Sequence, residues 1–125
     1  MKKASPKRIA VVDSSLLARN MYRVLFAPLG SSEIECWENS QSVKEKKKPD
    51  LLIVNSNAIP RQAEELPFPS AVPMILLMSP DRNDLKERFR NRPGVSLIEK
   101  PFYPYDLLSE MNRLLGSAAD GRRRN

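Results

Sequence analysis

Short continuous apolar runs alternate along this chain with stretches in which apolar residues recur every three or four positions. Arg8-Ile9-Ala10-Val11-Val12 is rich in β-branched residues and reads as a strand, and Asp13-Ser14-Ser15 follows it with helix N-cap chemistry. From Ser15 to about Leu29, Leu17, Met21 and Leu25 with Ala18, Tyr22, Val24 and Phe26 recur at helical spacing. Arg19, Asn20 and Arg23 are left for solvent, and Pro28 and Gly30 close the helix. Glu33-Ile34-Glu35-Cys36-Trp37 alternates at period two, the mark of a half-exposed strand at or near a sheet edge. Ser40 can cap a short polar helix reaching about Lys47, after which Pro49-Asp50 opens the buried strand Leu51-Leu52-Ile53-Val54.

The next strand, Val72 to Met78, follows a proline-rich connection holding Pro60, Pro67 and Pro69, so any helix there is a turn or two around Arg61 to Leu66. Ser79-Pro80-Asp81 caps a charged helix from about Arg82 to Arg90, Pro93-Gly94 turns the chain, and Val95-Ser96-Leu97-Ile98 is a fifth strand. Pro104 to Leu115 forms a last amphipathic helix with Leu107, Leu108, Met111, Leu114 and Leu115 inward. Repeated alternation of strand and helix, with strands apolar throughout, predicts an α/β domain: a doubly wound, five-stranded parallel sheet with helices on both faces and a shortened third helix. Residues 1–6 read as an N-terminal arm, 7–115 as the domain, and 116–125 as a basic disordered tail or the start of a linker.

A length of 125 residues suits one compact domain, and 41% hydrophobic with 29% charged residues is too apolar for a disordered chain. The longest uncharged apolar stretch, Ala71 to Ser79, is far short of the roughly 20 residues of a membrane helix and contains Pro73. No signal-type apolar segment follows the basic start, which predicts a cytoplasmic protein. Cys36 is the single cysteine and histidine is absent, which excludes an internal disulfide, cysteine- or histidine-based zinc and histidine acid-base chemistry. The net charge of +6 is concentrated in the first eight residues, Lys44 to Lys48 and Arg122 to Arg124. No interleaved aromatic residues accompany these runs, so nucleic acid is not the expected partner.

In a sheet of this kind the functional crevice lies beyond the carboxyl ends of the strands. Here that selects Asp13 and Ser14, Asn55 and Ser56, Met78 and Ser79, and Ile98, Glu99 and Lys100. Taken with the motifs Val11-Val12-Asp13-Ser14, Pro49 to Asn55, Pro73 to Ser79 and Leu97-Ile98-Glu99-Lys100-Pro101-Phe102, this set resembles the receiver domain of bacterial two-component response regulators over Lys7 to Leu115. The resemblance implies a flavodoxin-like fold, a cis Lys100-Pro101 bond, and a phosphorylation site built from two acids after the first strand, an aspartate after the third, a Thr or Ser after the fourth and a lysine after the fifth.

This chain departs from that pattern at several of those places. Asn55 stands where the family has the phosphorylated aspartate, Ser14 where it has the second acid, and Leu97 where it often has an aromatic. Phosphoryl transfer needs an anionic nucleophile and a divalent cation, and one remaining carboxylate, Asp13, is a poor Mg²⁺ site, so no metal or cofactor is expected. Asp50 lies about 16 Å away at the other end of its strand and cannot substitute. Glu99 points away from Lys100 by strand alternation, toward solvent or a surface pair. Either Met78 occupies the hydroxyl position or Ser79 enters it through a bulge. Lys100 either joins Asp13 and the Asn55 amide oxygen, or points to water while Asp13 merely caps the first helix.

The expectation is therefore a degenerate receiver, not an enzyme: a phosphorylation-independent signalling module of a phosphorelay that binds a protein partner through the last two helices and fifth strand, with a homodimer as a further option. Two alternatives stand beside it. One is an atypical phosphoacceptor using Ser56 or a deamidated Asn55. The other is a nucleotide- or nucleic-acid-binding domain, although no strand-end turn carries a glycine-rich phosphate loop.

Overall fold

A computed structural model describes residues 7–27, 32–38, 48–61 and 72–123, with the side chains of the last helix as far as 116. The elements are β1 (Lys7–Val12), α1 (Leu16–Phe26), β2 (Ser32–Trp37), β3 (Leu51–Asn55), a 3₁₀ turn (Ser56–Ala58), β4 (Met74–Met78), α2 (Asn83–Phe89), β5 (Val95–Glu99) and α3 (Pro104–Arg123). All strands are parallel in one sheet of order β2-β1-β3-β4-β5, the predicted doubly wound arrangement. The alternating pattern of β2 places it at an edge, and the unbroken apolar runs of β3 and β4 are fully buried. The arm 1–6, the helix expected from Ser40 to Lys47 and the turns expected after Arg61 lie outside the described residues. No helix among the described residues is long and apolar enough to cross a membrane.

Strand alternation divides the core into two layers. Ala10, Val12, Leu52, Val54, Leu76 and Met78 face one side and pack against Leu85 and Phe89 of α2. Ile9, Val11, Leu51, Ile53, Ile75 and Leu77 face the other, against Tyr22 and Phe26 of α1 and Leu107 and Met111 of α3. A register shift of one residue in any strand would exchange these sets, so the layers fix which side each strand-end residue addresses.

Three sequence expectations need correction. The inward face of α1 is Ala18, Tyr22, Leu25 and Phe26, whereas Leu17, Met21 and Val24 face water and Arg19 is half-buried. Both sets satisfy helical spacing, and only the position of the sheet chooses between them. Second, α2 begins at Asn83 with Arg82 at its N-cap position, where a donor-only guanidinium makes no capping bond, and the Arg82 N–H donates to the Ser79 carbonyl at 3.1 Å. Third, α3 continues to Arg123 instead of ending at Leu115. Gly116 does not take a left-handed φ and so costs the helix about 1 kcal/mol without terminating it, and Ala118-Ala119 propagate it. The left-handed turn falls at Gly94, φ 80°, ahead of β5.

The two faces of α1 separate in stability measurements. Phe26→Ala is expected to cost about 3–5 kcal/mol in urea unfolding, and Leu17→Ala to change stability by less than about 0.5 kcal/mol; a large loss from Leu17→Ala would contradict the observed rotation of the helix.

Candidate functional site

Parallel pairing brings the strand ends to one edge of the sheet. The Asp13 N–H donates to the Trp37 carbonyl at 3.0 Å, Asn55 lies beside Leu77, and the Lys100 N–H donates to the Met78 carbonyl at 2.8 Å. Asp13 and Asn55 stand two residues beyond Val11 and Ile53, so both side chains turn to the α1 and α3 side of the sheet. The Lys100-Pro101 bond is cis, as the resemblance implies.

The Asp13 side chain is fully buried and accepts four hydrogen bonds. Oδ1 takes the Ser15 N–H at 2.9 Å and Asn57 Nδ2 at 2.9 Å; Oδ2 takes Asn55 Nδ2 at 2.8 Å and the Tyr22 hydroxyl at 3.3 Å. Its own carbonyl accepts from Arg19 Nη1 at 2.8 Å. Ser15, not Asp13, is the N-cap of α1, its hydroxyl accepting from the Ala18 N–H at 3.2 Å. Burying a carboxylate is costly unless each lone pair meets a donor, and these four donors supply that.

Asn55 uses both ends of its amide. Nδ2 donates to Asp13, while Oδ1 accepts from Lys100 Nζ at 2.8 Å and from the Asn57 N–H at 3.1 Å. Lys100, half-buried, thus reaches Asn55, and no ion pair within 4 Å joins it to Asp13 among the described residues. Of the two sequence alternatives, neither holds whole: the lysine is engaged by the amide oxygen, and the amide passes the contact on to the carboxylate. An aspartate in the same pose would set an acceptor 2.8 Å from another acceptor. Ser14 is exposed, its N–H donating to Asn57 Oδ1 at 3.2 Å.

After β4 the two candidate residues have different surroundings. Met78 is buried in the α2 layer, and the Ser79 hydroxyl lies 3.4 Å from that of Ser56, whose Oγ also accepts the Ser79 N–H at 3.2 Å. Arg82 reinforces this tie. Its buried guanidinium donates through Nη1 to the carbonyls of Ser56 (2.8 Å) and Ile59 (3.0 Å), and through Nε and Nη2 to Asp84, both at 3.0 Å. That guanidinium holds the Asp84 carboxyl below the usual carboxylate range. The turns after β3 and β4 are therefore bonded to each other. Glu99 forms a surface pair with Lys86 at 2.9 Å, and Asp50 sits at the far end of β3, accepting the Arg8 N–H at 2.8 Å.

Sequence reasoning did not single out Tyr22, Asn57 or Arg82. Tyr22 was counted as an apolar helix position, yet burial, followed by the nearby Asp13 carboxylate, raises its phenol well above the ordinary value. The run Asn55-Ser56-Asn57 carried a usable signal, since short polar side chains in series commonly satisfy a turn's own backbone. Arg82 carried none, because a charge at a helix start reads as solvent-exposed.

These residues do not fit a divalent cation. Mg²⁺ is held by carboxylate oxygens, and both oxygens of the one carboxylate present already accept protein donors. Among the described residues no group of three acids, cysteines or histidines comes together, and no buried side-chain nitrogen or oxygen lacks a partner.

No family model matches the chain, and no curated protein matches it in sequence. Solved structures do match. The signal receiver domain of an HD domain-containing protein from Pseudomonas fluorescens Pf-5 superposes with a TM-score of 0.73 at 18% identity, covering 100% of this chain and 98% of that one. A response regulator receiver protein from Pseudoalteromonas atlantica gives 0.72 at 20%, covering 89% and 98%. A response regulator receiver modulated diguanylate cyclase from Pelobacter carbinolicus gives 0.65 at 20%, covering 94% and 98%. The chain therefore has the flavodoxin-like fold of receiver domains.

Two outcomes are expected from the site. Arg82→Met should cost about 2–4 kcal/mol by leaving the Ser56 and Ile59 carbonyls unpaired. It should speed amide exchange at Ile59, Ser79 and Arg82 while Ile53 and Leu76 stay protected; uniform exchange across the sheet would deny the clamp. Because the Tyr22 phenol is raised in the folded state, its contribution is fully present below its ordinary value of 10.0 and lost as pH rises above it. Urea unfolding between pH 9 and 11 should accordingly show a steeper alkaline fall for the wild type than for Tyr22→Phe.

Proposed function

We propose that this chain is a degenerate receiver: a cytoplasmic signalling module of a two-component system that acts by binding another protein and does not accept phosphate. The observation that supports it most is the chain of contacts Lys100 to Asn55 to Asp13, in which the amide joins an ammonium and a carboxylate. A working phosphoacceptor needs an anionic oxygen at that place, with a cation to neutralise charge developing on the phosphoryl oxygens. Here the amide is neutral, and the carboxylate that remains is fully occupied by protein donors.

A second set of contacts suggests how the domain works without modification. The loops after β3 and β4 are tied by Ser56, Ser79 and Arg82, so the surface they support is held in one arrangement by side chains already in the sequence. Ser56 is a weak candidate for an alternative acceptor, since it is buried and its Oγ is bonded to the Ser79 backbone.

Incubation with acetyl phosphate, or with beryllofluoride, in the presence of Mg²⁺ should leave the intact mass unchanged and the Asn55 amide resonances unmoved. A stable adduct, or a shift at Asn55, would remove the reading. Asn55→Asp should lower stability by about 1–3 kcal/mol at neutral pH, because it replaces a bond to Asp13 with carboxylate repulsion.

A further inference from the structure

The end of the sheet opposite Asp13 and Asn55, where the strands begin, holds a cleft that the site above does not use. It encloses about 320 Å³, near the lower end of the roughly 300–1,000 Å³ of small-molecule sites. Pro49 and Val72 are the buried part of its lining, and Pro73, Leu114 and Leu115 are half-buried. The backbone here is already paired: the Asp50 N–H donates to the Arg8 carbonyl at 2.7 Å, and the Pro73 carbonyl accepts the Leu52 N–H at 2.9 Å. Pro49 and Pro73 have no N–H to offer. Among the lining residues, polar recognition is left to the side chains of Lys7, Lys48 and Asp50, all exposed.

Two ammoniums and one carboxylate leave a single net positive charge at the mouth. Asp50 Oδ2 is engaged, accepting the Arg8 N–H at 2.8 Å, whereas neither lysine has an ion pair within 4 Å among the described residues. Neighbouring charges do not change that balance. Arg8 and Glu35 pair at 2.7 Å on the other face of the sheet, to which Glu33 also projects, and Arg113 pairs with Glu110 at 2.6 Å along α3. In the sequence, Lys7 belongs to the basic start of the chain and Lys48 ends the run from Lys44, so two of the three basic clusters join the fold at this cleft. We propose that the cleft binds an aliphatic carboxylate of medium chain length, its head group between Lys7 and Lys48 and its chain along Val72, Pro73, Leu114 and Leu115. One net positive charge matches a monocarboxylate, and walls without free donors match its chain. A phosphate ester fits less well, since it calls for N–H donors or a guanidinium fork, and the two prolines and the committed Arg8 supply neither. A bilayer fits less well too, since it takes up protruding apolar side chains and these are buried or half-buried. The site goes beyond the protein-binding reading: it gives the domain a small-molecule input at the end of the sheet away from Asn55.

The test titrates the full chain, ¹⁵N-labelled, with octanoate below its micelle concentration. The amides of Lys7, Asp50, Val72, Leu114 and Leu115 should shift saturably with Kd below about 1 mM, while those of Asp13 and Asn55 stay in place. Each CH₂ added between hexanoate and octanoate should tighten binding roughly two- to fourfold. Octanol should bind at least about threefold more weakly than octanoate, and octyltrimethylammonium should not bind. Lys7→Gln and Lys48→Gln, at exposed positions, should keep the fold and each weaken octanoate about three- to fivefold. Asp50→Asn, whose amide oxygen can still accept from the Arg8 N–H, should tighten it. Acetate or inorganic phosphate binding as well as octanoate, equal binding of the cationic amphiphile, unchanged affinity in both lysine variants, shifts located elsewhere, or no saturable binding overturns the proposal. So does co-sedimentation with phosphatidylglycerol vesicles without octanoate binding. The outcome is independent of the acetyl phosphate experiment: an adduct with octanoate binding intact would remove the degenerate-receiver reading alone, and an unchanged mass with no octanoate binding would remove the cleft alone.

Discussion

A carboxylate buried at the end of a strand must be surrounded by donors, and the arrangement around Asp13 follows from that requirement. Four donors from three segments converge on its two oxygens: the α1 N-terminus through Ser15, the α1 body through Tyr22, and the turn after β3 through Asn55 and Asn57. Each hydrogen bond is modest alone, but removing any one leaves part of a buried charge unsatisfied, which is why such groups behave as a unit. The carboxylate thus fixes α1 to the turn after β3 without a metal.

The same logic explains why an amide suits position 55 in this setting. An asparagine presents a donor and an acceptor at the same distance from the backbone, so it can face the carboxylate with one and the lysine with the other. An aspartate offers acceptors only and would need a cation between itself and Asp13. Of Asp13, Ser14 and Asn55, Asp13 is therefore the one carboxylate, and its charge is met by protein donors. Fold similarity to receiver domains is shared with proteins of diverse attached activities, so the functional conclusion rests on this site and not on the fold.

Beyond the site, the two strand-end turns are joined by side chains of unlike kind. Ser56 and Ser79 meet directly through a hydroxyl pair and a backbone N–H, whereas Arg82 reaches from the start of α2 to two backbone carbonyls and closes on Asp84. A guanidinium suits this because its planar fork can serve several acceptors at once. The turns after β3 and β4 are thus bonded to each other, whereas on α1 the side chains of Leu17, Met21 and Val24 remain exposed.

The strand and helix order, the parallel sheet and the edge position of β2 were legible in the sequence because each depends on local spacing, and the cis bond was implied by the family resemblance. Periodicity of two or of three to four is a property of neighbours in the chain, and Asp13, Asn55 and Lys100 lie at the ends of periodic runs. The rotation of α1, the choice between Met78 and Ser79, the run of α3 beyond Leu115 and the parts taken by Tyr22, Asn57 and Arg82 were not legible. Two apolar stripes on one helix satisfy the same spacing, and a hydroxyl or a guanidinium acquires its meaning from residues more than twenty positions away. The sequence alone determined that an asparagine, not a carboxylate, ends β3; only the tertiary structure decided what it touches, because the hydrogen bonds between Lys100, Asn55 and Asp13 exist once β1, β3, β4 and β5 have been brought into register.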